Sequence, residues 1–213
     1  MQVIGRLRTM YKKMLGQFLE KNRPDSEMPT AAMLAHFNLK AFVAPESDDT
    51  RKAFEGLCEM TMPERIEEAA AEKAEIEKVS EGSELVRIMR RKFDSLNQQA
   101  VISKAMELES DVVPDVLRRY RNNRVDEFIE IATQVLCKTK LDIAETIIGY
   151  YDEMPNPYGQ SMALVLLGFK AEESRIPWLI LKYHELKRSY PRESFHEGAW
   201  YGLLEMNERF YGE

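Results

Sequence analysis

Between residues 2 and 21, Val3, Leu7, Met10, Met14 and Phe18 recur at three- and four-residue spacing, with Ile4, Tyr11, Leu15 and Leu19 beside them. That period predicts an amphipathic helix. Its other face carries Arg6, Arg8, Lys12, Lys13 and Lys21. The polar stretch 22–30, with Pro24 and Pro29, predicts a loop and the best linker position. Ala31 to Val43 reads as a short apolar helix stopped by Pro45, and Ser47, Asp48, Asp49 and Thr50 offer N-caps for a helix to about Met60. Thr61, Pro63 and Glu64 form a helix-start signature. The Ala-, Glu- and Lys-rich helix that follows reaches about Val79, is polar enough to be exposed, and is expected to close at Gly82. Ser83 opens another, with Leu85, Ile88, Met89, Phe93 and Leu96 turned inward.

Beyond residue 97 the pattern repeats. Val113-Pro114-Asp115-Val116-Leu117-Arg118-Arg119-Tyr120 aligns with Ile143-Ala144-Glu145-Thr146-Ile147-Ile148-Gly149-Tyr150 and with Ile176-Pro177-Trp178-Leu179-Ile180-Leu181-Lys182-Tyr183. Each segment follows an apolar helix, at about Gln98–Leu108, Val125–Cys137 and Tyr158–Phe169. Proline suits the first turn of a helix, where its missing N–H would have no partner, so the second helix of each unit is expected to open near Pro114 and Pro177. Gly168 and Ala105, near the ends of first helices, permit close helix packing. Ala199-Trp200-Tyr201-Gly202-Leu203-Leu204 resembles Met162-Ala163-Leu164-Val165-Leu166-Leu167, a fourth first helix that would close the array.

Two-helix units of about 30 residues with proline opening the second helix resemble short HEAT-like repeats, over roughly residues 97–210. A tetratricopeptide pattern fits less well. The resemblance implies an all-α, right-handed solenoid whose second helices line a concave surface. The expected organisation is an N-terminal helical region over 1–96 and a repeat array with a capping helix over 97–213. One such unit cannot bury its apolar face alone, whereas stacked units share a core and present an extended surface.

Charge is unevenly distributed. Up to Arg23 there are six positive residues and one negative; residues 24–86 carry six against fifteen, and 97–213 fourteen against nineteen. The net charge of −6 disfavours a general affinity for nucleic acid or acidic membranes while leaving room for a local basic patch. The hydrophobic fraction of 44% is enough for a real core, and the ten glycines and nine prolines are too few for a turn-rich β-sandwich. Two cysteines, Cys58 and Cys137, sit in helical patterns without a C-x-x-C pair and read as buried thiols. With twelve methionines they suit a reducing cytoplasm. No apolar run reaches the length of a transmembrane segment, and the N-terminus lacks a signal-peptide core.

The chain carries no P-loop, dinucleotide fingerprint, nucleophile elbow, H-E-x-x-H or EF-hand motif, and His36, His184 and His196 lack metal-ligand spacing. No catalytic residue, metal or cofactor is therefore expected. Repeat register nominates binding positions instead. Asp115, Glu145 and Trp178 align, then Arg119, Gly149 and Lys182, then Arg121, Tyr151 and His184. Tyr120, Tyr150 and Tyr183 also align, and read as buried rings with hydroxyls at the edge. Arg118, Arg119, Arg121 and Arg124 form a basic cluster, either a solvated face or a site for an acidic partner. The expected binding set is Arg118, Arg119, Arg121, Glu145, Tyr151, Trp178, Lys182 and His184. The C-terminal aromatics, from Trp178 to Tyr211, read as core and cap.

Three functions follow as expectations. The first is a non-catalytic protein-interaction or scaffold module. The second is a nucleic-acid-acting enzyme, because alkyl-base DNA glycosylases and relatives of the phycobilin lyases use HEAT-like folds. Asp115, Glu145 and Trp178 could supply a carboxylate and an aromatic ring, but the acidic balance opposes it and no glycosylase motif matches. The third gives residues 2–21 a membrane-surface or self-associating role, the latter making a homo-oligomer.

Overall fold

The computed structural model describes residues 2–24, 63–91 and 93–212. The expected helices at 31–43 and 47–60, the cap at Thr61, the linker beyond Pro24, His36 and Cys58 lie outside these residues. The described residues are helical without a β-strand. In order they form α1 (Gln2–Lys21), α2 (Pro63–Lys78), α3 (Gly82–Arg90), α4 (Gln98–Glu107), α5 (Glu109–Tyr120), α6 (Asp126–Lys138), α7 (Ala144–Tyr150), α8 (Pro157–Lys170), α9 (Ile176–Ser189) and α10 (Glu197–Tyr211). Short 3-10 turns cover Ser95–Asn97, Tyr151–Glu153 and Glu173–Arg175. Among the described residues no helix is long and apolar enough to cross a membrane.

The chain forms two compact units that interleave along the sequence. One comprises Met28–Tyr120 and Val125–Lys140, the other Met1–Glu27, Arg121–Arg124 and Leu141–Glu213.

In the first unit, α3 and α4 pack against α5 and α6, and α2 lies against α4. α6 is apolar on several sides and buries Phe128, Ile129, Ile131, Val135, Leu136 and Cys137. A helix of that composition belongs inside a unit. Two sequence expectations change here. Gly82 opens α3 instead of closing α2, and a Cβ on it would lie 2.7 Å from the Cβ of Asp111 on α5, so the residue serves a close approach. Pro114 lies inside α5, which begins five residues earlier at Glu109. Helix α4 runs almost directly into α5 through Leu108, whose carbonyl accepts from the N–H groups of Asp111 and Val112 at 3.0 Å. The proline removes one helical donor, and Ser110, whose carbonyl loses it, is exposed. Polar bonds tie the turn before α4 to α2. Asn97 Nδ2 donates to the Ala69 carbonyl at 2.9 Å and to Glu72 Oε2 at 2.8 Å, and the Asp94 N–H donates to the same Glu72 oxygen at 2.9 Å.

In the second unit, α8 and α10 pack backbone to backbone, with α9 and α1 laid against α10. Gly168, Gly198 and Gly202 make this approach. The Asn156 side chain caps α8 by accepting from the Tyr158 N–H at 3.0 Å, with Pro157 at the first position. Pro177 is the second residue of α9, within the first turn as its sequence position predicts. Phe18 of α1 meets Tyr183 edge to face at 4.9 Å, and Trp200 Nε1 donates to the Leu19 carbonyl at 3.2 Å. Trp200, Tyr201 and Tyr183 are buried, as core and cap residues should be.

Tyr120, Tyr150 and Tyr183 are all buried, but their hydroxyls differ. Tyr120 Oη lies 2.8 Å from Thr133 Oγ1, Tyr183 Oη accepts from Lys187 Nζ at 3.4 Å, and Tyr150 Oη is buried without a hydrogen-bond partner.

Candidate functional site

The second unit brings together three of the nominated residues: Tyr151, Trp178 and Lys182. The 3-10 turn after α7 drives Tyr151 inward until it is almost wholly buried. One turn apart on α9, Trp178 and Lys182 share a face, because residues four apart lie one above the other. The Trp178 ring meets Tyr151 edge to face at 5.2 Å, and Lys182 Nζ lies 5.5 Å from the centroid of each ring. Edge-to-face pairs and a cation beside the ring faces both suit the aromatic quadrupole.

The Lys182 side chain is only 7% exposed. Its ammonium donates to Asp152 Oδ1 at 2.6 Å and to Glu185 Oε2 at 2.8 Å. Burial alone would lower its pKa, but the two carboxylates outweigh it and hold the pKa above the ordinary lysine value. A lysine held this way is a positioning group, not a nucleophile. Burial pushes the Tyr151 hydroxyl far up, assisted by the charges of Asp152 and Glu185, and the hydroxyl has no hydrogen-bond partner.

Above this buried set lies the outer face of α9. Pro177, Leu181, His184 and Arg188 are exposed, and Trp178 is half-buried. Leu181 is 50% exposed. The His184 ring lies 5.3 Å from Tyr183 and 5.9 Å from Phe18, edge to face with both. Trp178 and His184 thus stand at the surface, while Tyr151 and Lys182 lie beneath it.

Of the remaining nominated residues, Glu145 on α7 takes both Nε (2.9 Å) and Nη2 of Arg175. Arg121 pairs with Glu153. In the other unit, Arg118 and Arg119 both bind Asp115, the second through Nε at 3.0 Å. Burial pushes the Asp115 carboxyl up, yet the two arginines prevail and leave it below the usual carboxylate range. Asp115 and Glu145, the carboxylates considered for base excision, are each paired with arginine. Among the described residues no group of histidine, cysteine and carboxylate side chains could hold a metal ion.

Sequence reasoning missed Asp152, Glu185, Arg175 and Leu181. Register gave no signal for them. Glu145–Arg175 and Asp152–Lys182 are each 30 residues apart, whereas the two segments they join align 33 apart, Glu145 with Trp178, so the bonded residues are not the aligned ones. Leu181 had no signal either, since its exposure depends on what α9 packs against.

Compared with protein-family models, with curated proteins and with solved structures, the chain matches none.

Proposed function

We propose that this protein is a non-catalytic interaction module of HEAT-like helical repeats that captures a protein partner on the outer face of α9. The observation that carries the proposal is the half-exposed Trp178, braced from below by Tyr151 and Lys182 and flanked by exposed Leu181 and His184. Interface energy concentrates in rigid aromatic anchors set among apolar neighbours. A tryptophan already held in place loses little side-chain freedom on binding. The buried Cys137 thiol fits a reducing, cytoplasmic setting.

The test is affinity capture from a native lysate with three forms of the full chain: wild type, Trp178→Ser and Leu181→Glu. Circular dichroism and a thermal melt verify that each variant is folded. The expected result is a protein retained by the wild type and lost by both variants, with an Arg118→Glu control retaining it. Capture of nucleic acid at low salt that is indifferent to the α9 substitutions, or a set of proteins unchanged by them, would overturn the proposal.

A further inference from the structure

We propose that the N-terminal half of α1 docks on an anionic lipid bilayer, lying in its interface. Every residue from Gly5 to Met10 is exposed, whereas Leu15 and Phe18 further along the same helix are buried. Leu7 and Met10 continue the stripe that Met14 and Phe18 turn inward, but they are 44% and 52% exposed. Leu7 and Met10, three residues apart, put two large apolar side chains on the exposed side of the same turn.

Charge identifies what covers it. The first nineteen residues contain no carboxylate and four cations, Arg6, Arg8, Lys12 and Lys13, all exposed. Two grooves lined by α1 and α10, about 310 and 390 Å³, share Thr9 and Lys12, and Glu173 lies beside the first, bonded to Tyr211. Arg8 is held at the C-terminal end of α10, donating through Nη2 to the Phe210 carbonyl at 2.6 Å. Arg8 also pairs with Glu173 through Nε at 3.9 Å, and Arg8 and Lys12 both lie 5.9 Å from the Tyr211 ring centroid, so these two cations rest against the C-terminal end of α10.

A narrow apolar stripe flanked by long basic side chains matches a bilayer better than a protein groove. Leucine and methionine enter the acyl boundary while arginine and lysine reach up to anionic headgroups. The rest of the chain carries a net negative charge, which sets this basic stretch apart. The helix lies on the membrane and does not span it, consistent with its content of charge.

The full chain is sedimented with vesicles of phosphatidylcholine alone and with about one-third phosphatidylserine. Three proteins are compared: wild type, Leu7→Ser with Met10→Ser, and Arg6→Glu with Lys13→Glu. All four positions are exposed, so the fold is retained; a thermal melt checks this. The expected result is binding to the phosphatidylserine vesicles only. It weakens more than about tenfold in the charge-reversed variant and at about 0.5 M salt, and several-fold in the serine variant. A Leu7→Trp variant gives a second readout, a blue-shifted and enhanced emission on adding anionic vesicles. Failure of the wild type to sediment with anionic vesicles overturns the inference. So does binding that ignores the α1 substitutions, or capture of an acidic protein by this helix without any vesicle binding. None of these outcomes bears on the α9 surface, whose test uses other residues.

Discussion

A methyl group added to Gly168 would lie 2.5 Å from the Cα of Gly202. Both residues sit where α8 and α10 touch, and a Cβ on Gly202 would in turn overlap the carbonyl oxygen of Leu164. The atoms in the way are backbone, which cannot rotate aside as a side chain can. Gly202→Ala is therefore expected to destabilise the protein by about 1–3 kcal/mol despite alanine's better helix propensity. Gly16→Ala on α1 meets nothing within 4 Å and should gain about 0.5–1 kcal/mol. Urea denaturation of the two variants distinguishes them by the sign of the change. Equal signs would contradict the close packing of α8 on α10.

The aligned tyrosines predict opposite effects from one substitution. Tyr120 bonds Thr133, so Tyr120→Phe should cost about 1 kcal/mol. The Tyr150 hydroxyl is buried with no partner, so Tyr150→Phe should be neutral or stabilising, since it removes a desolvated polar group. Chemical denaturation provides the comparison, and a loss of about 1 kcal/mol at Tyr150 would mean a bond to its hydroxyl exists.

Lys182 is expected to matter for rigidity more than for contact. Lys182→Met keeps the apolar stem between Trp178 and Tyr151 but removes the ammonium, and should cost about 1 kcal/mol. Asp152→Asn should cost less, because Asp152 is largely exposed. The pKa of Lys182 is raised in the folded state, so its contribution is present below 10.5 and fades as pH rises through the folded value. The wild type should thus lose stability at alkaline pH that Lys182→Met never had. Parallel thermal melts against pH that do not converge would refute the pairing.

Asp94 governs an acid limb. The Arg65 guanidinium bonds both its oxygens, at 2.8 and 3.1 Å, and lowers its pKa; burial opposes this, and the Leu96 N–H adds to the lowering. A depressed carboxylate pKa contributes stability above the ordinary value of 3.8 and loses it as pH falls through the lower, folded value. The Tm gap between wild type and Asp94→Asn should therefore be largest near neutrality and shrink below about pH 4. A gap independent of pH would show that the asparagine acts through geometry alone.

The Tyr151–Trp178–Lys182 set shows how far register carries a functional reading. All three were nominated from aligned positions, and all three meet. Register alone ranked them as equals at the surface, yet only Trp178 reaches it. A position one residue after the aligned tyrosine falls outside in one unit and inside in another when a 3-10 turn changes the helical phase, as at Tyr151–Glu153. Gly82 and Pro114 teach the same lesson for helix ends. Their local preferences mark a stop and a start, but packing against Asp111 and continuity with α4 decide otherwise.

The amino-acid sequence by itself determined the helical period, the bounds of α1, α6 and α8 to within about a residue, the burial of Tyr120, Tyr150 and Tyr183, and the small residues that let helices approach. These follow from side-chain spacing and volume, which act over one or two turns. Tertiary structure decided which cation meets which carboxylate, that α8 receives α10 on a glycine face, that Lys182 is covered while Leu181 is not, and that the stripe of α1 lies open at Leu7 and Met10. Those outcomes depend on distances between residues far apart along the chain, and a periodic pattern specifies a helix face without specifying its neighbour.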